Sequence, residues 1–324
     1  MPPIDGRLFF HPCFPVDLVA STLPSLSRSS FFLEKSLSLG RSFFCLIPEK
    51  VALFLGARIG DILSFLLPDK VRIMRENLAL SDLSSGKGSS GRILGRKIFR
   101  HFGILGAEFL RLPVLSDDMV RQRMSIEGLS HFNEAYARGK GVILLSGHIG
   151  NWEMSLRRID LESPGKVHPV IRRIKNPVVH KFVDDHRRRY GKGESILADL
   201  GVRPLVKALS KGDVLVVLLD QNAGLGEGEF VPFFGRQACT YSSLAKLSLL
   251  LGIPVLPASS HRRPDGTHHA TIHPPILPVP DLPPEDGVRI LTSLYTRAIE
   301  EMIRPHPEQW IWMHRRWKTR PPGP

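Results

Sequence analysis

The stretch Ser146-Gly147-His148-Ile149-Gly150-Asn151-Trp152-Glu153 decides the fold and indicates where the chemistry lies. It follows an apolar run over residues 142–145, and helix-forming residues resume after it. This order predicts a buried strand, a tight loop and a helix. Open α/β sheets place their functional groups at such corners, beyond the carboxyl ends of the strands. Gly150 permits close backbone approach, and Asn151 is a favourable N-cap for the helix.

Two side chains of this stretch suit acid–base chemistry. His148 lies on the loop, and Glu153 lies in the first helical turn, where the helix dipole favours a negative charge. A carboxylate bonded to one ring nitrogen fixes the tautomer, so that the other nitrogen can remove a proton from a hydroxyl group. We therefore predict that His148 is a general base and that Glu153 orients its ring. A His-x4-Glu spacing alone is also found in ordinary loops, so the neighbouring Gly-Asn-Trp carries much of the weight.

The rest of the chain predicts an α/β fold with a largely parallel central sheet flanked by helices. Buried strands are predicted at 142–145, 167–171, 214–219 and 253–258. Helical segments are predicted between and after them, at 176–190, 202–210, 242–251 and 287–303. Alternation of strands and helices is typical of a parallel sheet with helices packed on it.

Polar residues follow each predicted strand. They are His148 after the first strand, Arg172 and Arg173 after the second, Asp220 and Gln221 after the third, and residues 261–263 after the fourth. Because the carboxyl ends of parallel strands lie along one edge of a sheet, these groups are expected to converge on one crevice. Polar residues after one strand are common and would not by themselves indicate a function. Polar residues after all four strands favour a functional site at this edge.

Four blocks of the sequence resemble one family. His148-Ile-Gly-Asn-Trp-Glu153 resembles the HX4E signature of the late lipid A acyltransferases, the lauroyl/myristoyl branch of the lysophospholipid acyltransferase superfamily. Asp220-Gln221 and residues 230–235 and 307–318 resemble that family's later blocks, in the same order. The similarity covers roughly residues 43 to 318. It implies a glycerolipid-acyltransferase-like fold.

The resemblance implies a membrane-associated O-acyltransferase. Such an enzyme moves a fatty acyl chain from an acyl carrier protein thioester, or from acyl-CoA as second choice, to a hydroxyl of a phosphorylated lipid A precursor. No metal or cofactor is expected, and the location implied is the inner membrane with the active site facing the cytoplasm. The oxyanion would be held by backbone N–H groups of the 147–150 loop or by an arginine. The substrate-binding residues expected are Gly150, Asn151, Arg172, Arg173, Asp220, Gln221, Arg315 and Arg316.

The composition limits the possible partners. The formal net charge of +13 indicates an anionic partner, such as an acidic protein, a phosphorylated substrate or an anionic membrane. The three cysteines include no C-x-x-C pair, which disfavours a structural zinc site. Charge alone would also suit a non-catalytic basic protein that binds membranes or nucleic acid, but no nucleic-acid recognition motif is present. Another alternative is an acyltransferase for a different glycolipid or glycerolipid, such as phosphatidylinositol mannoside.

The chain divides into four predicted segments. Residues 1–40 form an N-terminal extension, expected to be flexible and without the features of a cleaved signal peptide. Residues 41–68 are apolar but interrupted by charges, which favours a membrane-associated helical hairpin over a spanning helix and leaves a core-packing helix as the alternative. Residues 69–123 form a helical region with a Ser/Gly-rich linker at 84–91, and residues 124–320 form the acyltransferase core.

Two basic runs have two interpretations each. The run 187–189 is typical of a solvated helix face. The run 314–318 lies beside Trp310 and Trp312, a combination that suits a membrane interface. The same tryptophans could instead pack the C-terminal segment onto the core.

Overall fold

The fold is that of a computed structural model, which describes residues 27–83, 88–279 and 282–322. Most of the predicted N-terminal extension (1–40) and residues 84–87 of the predicted linker lie outside these ranges. Where the described chain begins, it is helical: one helix covers Ser27–Leu46 and another starts at Gly88. The last part of the predicted extension is therefore helical, and the linker ends before residue 88.

Four helices precede the sheet. They are α1 (Ser27–Leu46), α2 (Glu49–Leu66), α3 (Pro68–Leu80) and α4 (Gly88–Arg111). Helices α2 and α4 cross at short range, since a Cβ on Gly56 would lie 2.7 Å from the carbonyl oxygen of Gly103, and one on Gly60 would lie 2.2 Å from that of Phe99. The spacing Gly56-x-x-x-Gly60 is the small-residue pattern that lets two helix backbones approach closely.

Helices α1 and α2 carry a broad exposed apolar surface. Phe65 is 83% exposed, Leu46 85% and Phe54 61%. We call this set the N-terminal apolar surface; it comprises Phe31, Phe32, Leu39, Phe43, Leu46, Val51, Phe54, Ile62, Phe65 and Leu66. By length and composition, none of the described helices could cross a membrane alone, whereas α2 and α3 together could, with a bend of 91° between them.

The core contains a seven-stranded sheet. Its strands are β1 (Met124–Glu127), β2 (Val142–Ser146), β3 (Val167–Ile171), β4 (Ile196–Leu197), β5 (Val214–Leu218), β8 (Val255–Arg262) and β9 (His268–Ile272), and a separate hairpin is formed by β6 (Gly228–Phe233) and β7 (Arg236–Tyr241). The order across the sheet is β1-β9-β8-β2-β5-β3-β4. All neighbours are parallel except β8 and β9. The predicted α/β class with a largely parallel sheet is confirmed.

Helices cover both faces of the sheet. They are α5 (Asp117–Arg123), α6 (Leu129–Ala137), α7 (Trp152–Glu162), α8 (Pro177–Arg187), α9 (Arg203–Leu209), α10 (Ser243–Leu251) and α11 (Pro284–Ile303). Successive residues of central strand β2 join different apolar clusters: Ile143 and Leu145 pack with Trp310, while Leu144 packs with Phe132. Burial of both faces explains why β2 is an uninterrupted apolar run in the sequence.

The C-terminal segment after α11 packs into the core. Trp310 and Trp312 are fully buried, and their rings contact Phe233 and Phe234 of the β6–β7 hairpin at centroid distances of 5.5 and 5.2 Å. The prediction that these tryptophans lie at a membrane interface is wrong, because buried rings cannot reach lipid. The core-packing interpretation is the one that the structure bears out, although the segment is irregular apart from one short 3-10 helix, Pro307–Gln309.

Candidate active site

The corner between β2 and α7 has the geometry that the sequence predicts. Asn151 caps α7, since its side-chain oxygen accepts a hydrogen bond of 2.9 Å from the N–H of Met154. Gly150 has φ +60°, and a Cβ there would lie 2.1 Å from the carbonyl oxygen of Ser260. A side chain at position 150 would thus be strained and would collide with the end of β8. The loop that carries His148 is therefore held tightly against the neighbouring strand.

His148 is bound to Asp220, which follows the adjacent strand β5. The Nδ1 atom of His148 lies 2.8 Å from Oδ1 of Asp220, and the backbone N–H of His148 donates to Oδ2 at the same distance. The indole N–H of Trp310 also donates to Oδ2, at 2.7 Å. One buried carboxylate therefore fixes the ring and the backbone of His148 together.

The electrostatics of Asp220 keep it ionised. Burial alone would raise the pKa of its carboxyl group, but the His148 ring, the two N–H groups of His148 and the Trp310 indole offset this and hold the pKa below its ordinary value. An ionised carboxylate can only accept hydrogen bonds, so Nδ1 of a neutral His148 carries the proton. The lone pair is then on Nε2, the atom that a general base needs.

The Nε2 atom of His148 is the ring nitrogen that does not face Asp220. It makes no hydrogen bond with the described residues, and it is not sealed from solvent, although the His148 side chain is only 8% exposed. The ring edge is fixed further by Trp152, whose ring centroid lies 5.1 Å away in a T-shaped contact. The ring of His148 is thus held by Asp220 on one side and by Trp152 on the other.

Glu153 does not bind His148, and the predicted hydrogen bond between them is not formed. Its carboxylate instead accepts two hydrogen bonds from Arg187 of α8, at 2.7 Å from Nη2 and 3.0 Å from Nε, and one of 3.4 Å from the Tyr190 hydroxyl. Glu153 and Arg187 are both buried. The second position of the motif thus ties the first turn of α7 to α8, and the orienting role belongs to Asp220.

Three of the four backbone N–H groups of the 147–150 loop, which were the expected oxyanion donors, already make hydrogen bonds. The N–H of His148 donates to Asp220, that of Ile149 to the carbonyl of Gly147, and that of Gly150 to the carbonyl of Gln309. These three groups cannot also hold a developing oxyanion without rearrangement. The loop is shaped to position the histidine.

Arg172 and Arg173 point to different surroundings after β3. The Arg172 guanidinium is 5.8 Å from the ring centroid of Tyr241 and 4.0 Å from a carboxylate oxygen of Glu227. Arg173 is 59% exposed and lies 3.9 Å from Asp199. Arg172 therefore lies against the β6–β7 hairpin, beside Tyr241 and Glu227, while Arg173 is on the surface.

The two C-terminal arginines also separate. Arg315 is exposed. Arg316 is fully buried, and its Nη1 atom donates to the carbonyl oxygens of Gln221 at 3.1 Å and Cys239 at 2.7 Å. Burial lowers the pKa of Arg316 to about 10. Its donors hold the end of β5 against β7, and its predicted role in substrate binding stays a prediction.

Gln221 remains a distinctive residue next to Asp220. It is 2% exposed, and neither its side-chain oxygen nor its nitrogen has a hydrogen-bond partner among the described residues. Buried polar atoms are almost always paired, so an unpaired amide beside a reactive pair is a candidate ligand contact.

An apolar cavity lies directly behind the corner, between the sheet and α7. Trp152 and Ser155 of α7 line it on one side, and Ser146 of β2 lines it on the other. Its walls include Leu144, Leu156, Ile159 and Val216. The space is narrow and lined by hydrocarbon side chains.

Sequence reasoning missed Trp310 and Arg187 as parts of this site. Trp310 was assigned to a membrane interface or to the packing of the C-terminal segment, and Arg187 belongs to a run that is typical of a solvated face. Neither has a local sequence signal, since each contacts the site only through the tertiary fold. Among the described residues, no group of His, Cys, Asp or Glu side chains could hold a metal ion.

Comparison with known proteins identifies the family. Residues 37–319 match the family of bacterial lipid A biosynthesis acyltransferases. The chain belongs to this family. It is therefore an O-acyltransferase of lipid A biosynthesis, as the HX4E resemblance predicts.

Three relatives from Escherichia coli (strain K12) are similar to this acyltransferase. The lipid A biosynthesis lauroyltransferase is 26% identical over 86% of this chain and 88% of its own length. The palmitoleoyltransferase is 28% identical over the same shares. The myristoyltransferase is 27% identical over 67% of this chain and 66% of its own length. The relatives' names differ in the acyl chain, so similarity at this level does not specify the chain length.

Proposed function

We propose that this acyltransferase moves a fatty acyl chain from an acyl carrier protein thioester to a hydroxyl of a phosphorylated lipid A precursor, with His148 as general base. The observation that carries the proposal is the hydrogen-bonded pair of His148 and Asp220, which leaves Nε2 of the histidine without a hydrogen-bond partner among the described residues. Acyl-CoA is the second choice of donor.

The reaction needs one base and no covalent enzyme intermediate. Nε2 of His148 takes the proton from the acceptor hydroxyl as its oxygen attacks the thioester carbonyl. The carbon–sulfur bond then breaks, and the departing thiolate takes the proton from the imidazolium. The products are an ester and a free thiol. General-base catalysis contributes roughly 10²–10⁴ in rate, so alignment of the two substrates must supply much of the rest.

Asp220 and Glu153 have different roles in this mechanism. Asp220 holds the reactive tautomer and stabilises the imidazolium that forms during transfer. Glu153 supports the corner from the other side through its ion pair with Arg187. Gln221 supplies an unpaired amide next to the dyad, and Arg172 supplies a positive charge at the crevice, which suits the phosphate of the acceptor or the oxyanion.

The acyl chain has a suitable binding place in the cavity between the sheet and α7. The cavity is apolar, and it reaches Trp152, which contacts His148. A chain with its thioester at His148 could enter along α7, and burial of each methylene would contribute about 0.8 kcal/mol. The side chains at the far end of this cavity would then limit the chain length.

The exposed apolar residues and the positive net charge support a membrane and an acidic donor protein as partners. The N-terminal apolar surface exposes ten large apolar side chains on two neighbouring helices, which supports insertion of α1 and α2 into the headgroup region of a bilayer. The net charge of +13 suits both an anionic inner membrane and an acidic acyl carrier protein. An active site that faces the cytoplasm gives access to that carrier.

The deciding experiment is mass spectrometry of lipid A from a deletion strain. Loss of one secondary fatty acid, restored by the wild-type gene and not by a His148→Ala variant expressed at the same level, is the expected result. If lipid A is unchanged and a glycerolipid or phosphatidylinositol mannoside is altered instead, the altered lipid is the acceptor and the proposed lipid A acceptor is wrong. Full restoration by His148→Ala would exclude His148 as the base.

A further inference from the structure

A second buried carboxylate lies behind the catalytic corner and takes no part in the mechanism above. Glu108 of α4 is 7% exposed and receives donors from three different elements. Its Oε1 atom accepts hydrogen bonds of 3.0 Å from Nε of Arg262 and 3.0 Å from Nε2 of His268. Its Oε2 atom accepts from Nη2 of Arg262 and, at 2.9 Å, from the side-chain amide of Asn151.

This cluster is charged in the folded protein. Burial by itself would raise the pKa of Glu108, but the charges of Arg262 and His268 and their hydrogen bonds to its carboxylate lower it far below its ordinary value. Burial and the charge of Arg262 lower the pKa of His101 well below its ordinary value, so its neutral ring can accept the 2.8 Å hydrogen bond from Arg262. Each of the two carboxylate oxygens of Glu108 therefore accepts two hydrogen bonds.

The cluster reaches the catalytic loop by two routes. The amide of Asn151, held by Glu108, turns its oxygen toward the N–H of Met154 and so caps α7. The backbone N–H of Arg262 donates to the side-chain oxygen of Gln309 at 2.7 Å, and the side-chain amide of Gln309 donates to the backbone carbonyl of Arg262 at 3.0 Å. The backbone carbonyl of Gln309 in turn accepts from the N–H of Gly150. Both routes end within three positions of His148.

We infer that Glu108 is a positioning residue for acyl transfer, which acts through Asn151 to hold the loop that presents His148 to the acceptor hydroxyl. Glutamine cannot replace it, because donors approach both oxygens and a glutamine amide would turn one N–H group toward a donor. A small displacement of the base is sufficient to reduce the rate strongly, since shifts of about 1 Å can cost roughly a hundredfold. The inference rests on the proposed function, in which His148 is the base.

The test is a double-mutant cycle on the purified enzyme with an acyl carrier protein thioester and a lipid A precursor. Glu108→Gln and Asn151→Ala are each expected to lower kcat about tenfold, with KM for both substrates changed less than about threefold. Because the two residues act in series, the double variant is expected to lose about as much as one single variant and not the product of the two. A hundredfold loss in the double variant would overturn the inference, as would wild-type kcat in Glu108→Gln.

The controls separate positioning from folding. Asp213→Asn removes a buried carboxylate that binds His168 and the N–H of Lys166 at the opposite, amino-terminal end of β5, and it is expected to lower the melting temperature without lowering kcat. If Glu108→Gln does not fold, Glu108→Gln with Arg262→Gln removes both charges, and the same loss of kcat is expected. Absence of transfer by the wild-type enzyme would instead reject the proposed function itself.

Discussion

The Nδ1 atom of His148 lies 2.8 Å from Oδ1 of Asp220, a residue 72 positions further along the chain. Adjacent parallel strands β2 and β5 bring the two together, because Leu145 and Val217 share a register position near their carboxyl ends. The second oxygen of Asp220 binds the backbone of His148 and the indole of Trp310. The orientation of the His148 ring is therefore fixed by a residue outside the stretch 148–153.

Removing the indole donor tests how far Trp310 contributes to this arrangement. Trp310→Phe keeps a buried aromatic ring but removes the N–H that lies 2.7 Å from Asp220. A neutral donor to a buried carboxylate typically contributes about 1.5–3 kcal/mol, part of which fixes the orientation of the carboxylate. We expect kcat to fall about five- to thirtyfold with little change in KM, measured by transfer of a labelled acyl chain. Unchanged kcat in a folded variant would show that Trp310 only fills the core.

The ion pair of Glu153 with Arg187 predicts a loss of stability when one partner is removed. Glu153→Leu would leave the Arg187 guanidinium buried without its carboxylate, and the cost of such a change is about 3–5 kcal/mol. Adding Arg187→Met removes the unpaired charge, so the double variant should be more stable than either single variant. Denaturant unfolding of the purified protein in detergent measures this order. A single Glu153 variant with wild-type stability would contradict it.

His186 makes the folded state sensitive to acid. It is fully buried between Phe109 and Phe182, and burial lowers its pKa to about 4. An unfolded histidine has a pKa of about 6.5, so between pH 6.5 and 4 the unfolded chain binds more protons and stability falls as the pH falls. This group should cost about 2 kcal/mol on going from pH 7.5 to pH 5.

The matched variant for this prediction is His186→Gln. It can keep the hydrogen bond that His186 donates to the Phe109 carbonyl, but it does not titrate. Unfolding free energies at the two pH values should therefore differ less in the variant than in the wild type, by roughly that amount. Identical pH dependence of both proteins would show that His186 does not take up a proton on unfolding.

The N-terminal apolar surface predicts how the protein meets a bilayer. Replacing Phe54, Phe65 and Leu66 by serine removes three exposed apolar side chains, each of which could contribute about 1.5–3 kcal/mol when inserted. In a flotation assay with anionic vesicles, we expect the triple variant to move largely to the soluble fraction. The control replaces Leu250 and Leu277, which are 50% and 56% exposed outside these helices, and should float like the wild type. Equal flotation of all three proteins would reject the proposed surface.

Much of the fold follows from local pattern. The strands at 142–145, 167–171 and 214–219 agree with β2, β3 and β5 to within one residue at each end. Both faces of these strands are buried, so their apolar runs are continuous and easy to recognise. β1 and β4 were not predicted, because strands of four and two residues at the ends of the sheet have no period to detect. β9, which is antiparallel to β8, was not predicted either, because it begins with the polar residues His268 and His269.

The pairing of side chains within the site is where sequence reasoning fails. Glu153 was the nearest carboxylate to His148 along the chain, but the first turn of α7 directs it toward Arg187. The rule that parallel strands end at one edge placed Asp220 near His148, yet that rule gives a neighbourhood and not a hydrogen bond. Arg316 shows the same limit for a basic residue. In the sequence, an arginine beside tryptophans suits a lipid interface, but in the fold Arg316 and these tryptophans are buried.

The most direct measurement compares Asp220→Asn with Glu153→Gln in the same transfer assay, with rates normalised to folded protein. If Asp220 orients His148, Asp220→Asn should lower kcat by roughly 10²–10⁴, because an amide can stabilise the wrong tautomer and not the imidazolium. Glu153→Gln should keep kcat within about tenfold of the wild type and lose mainly stability. The reverse order, with Glu153→Gln inactive and Asp220→Asn active, would contradict the account.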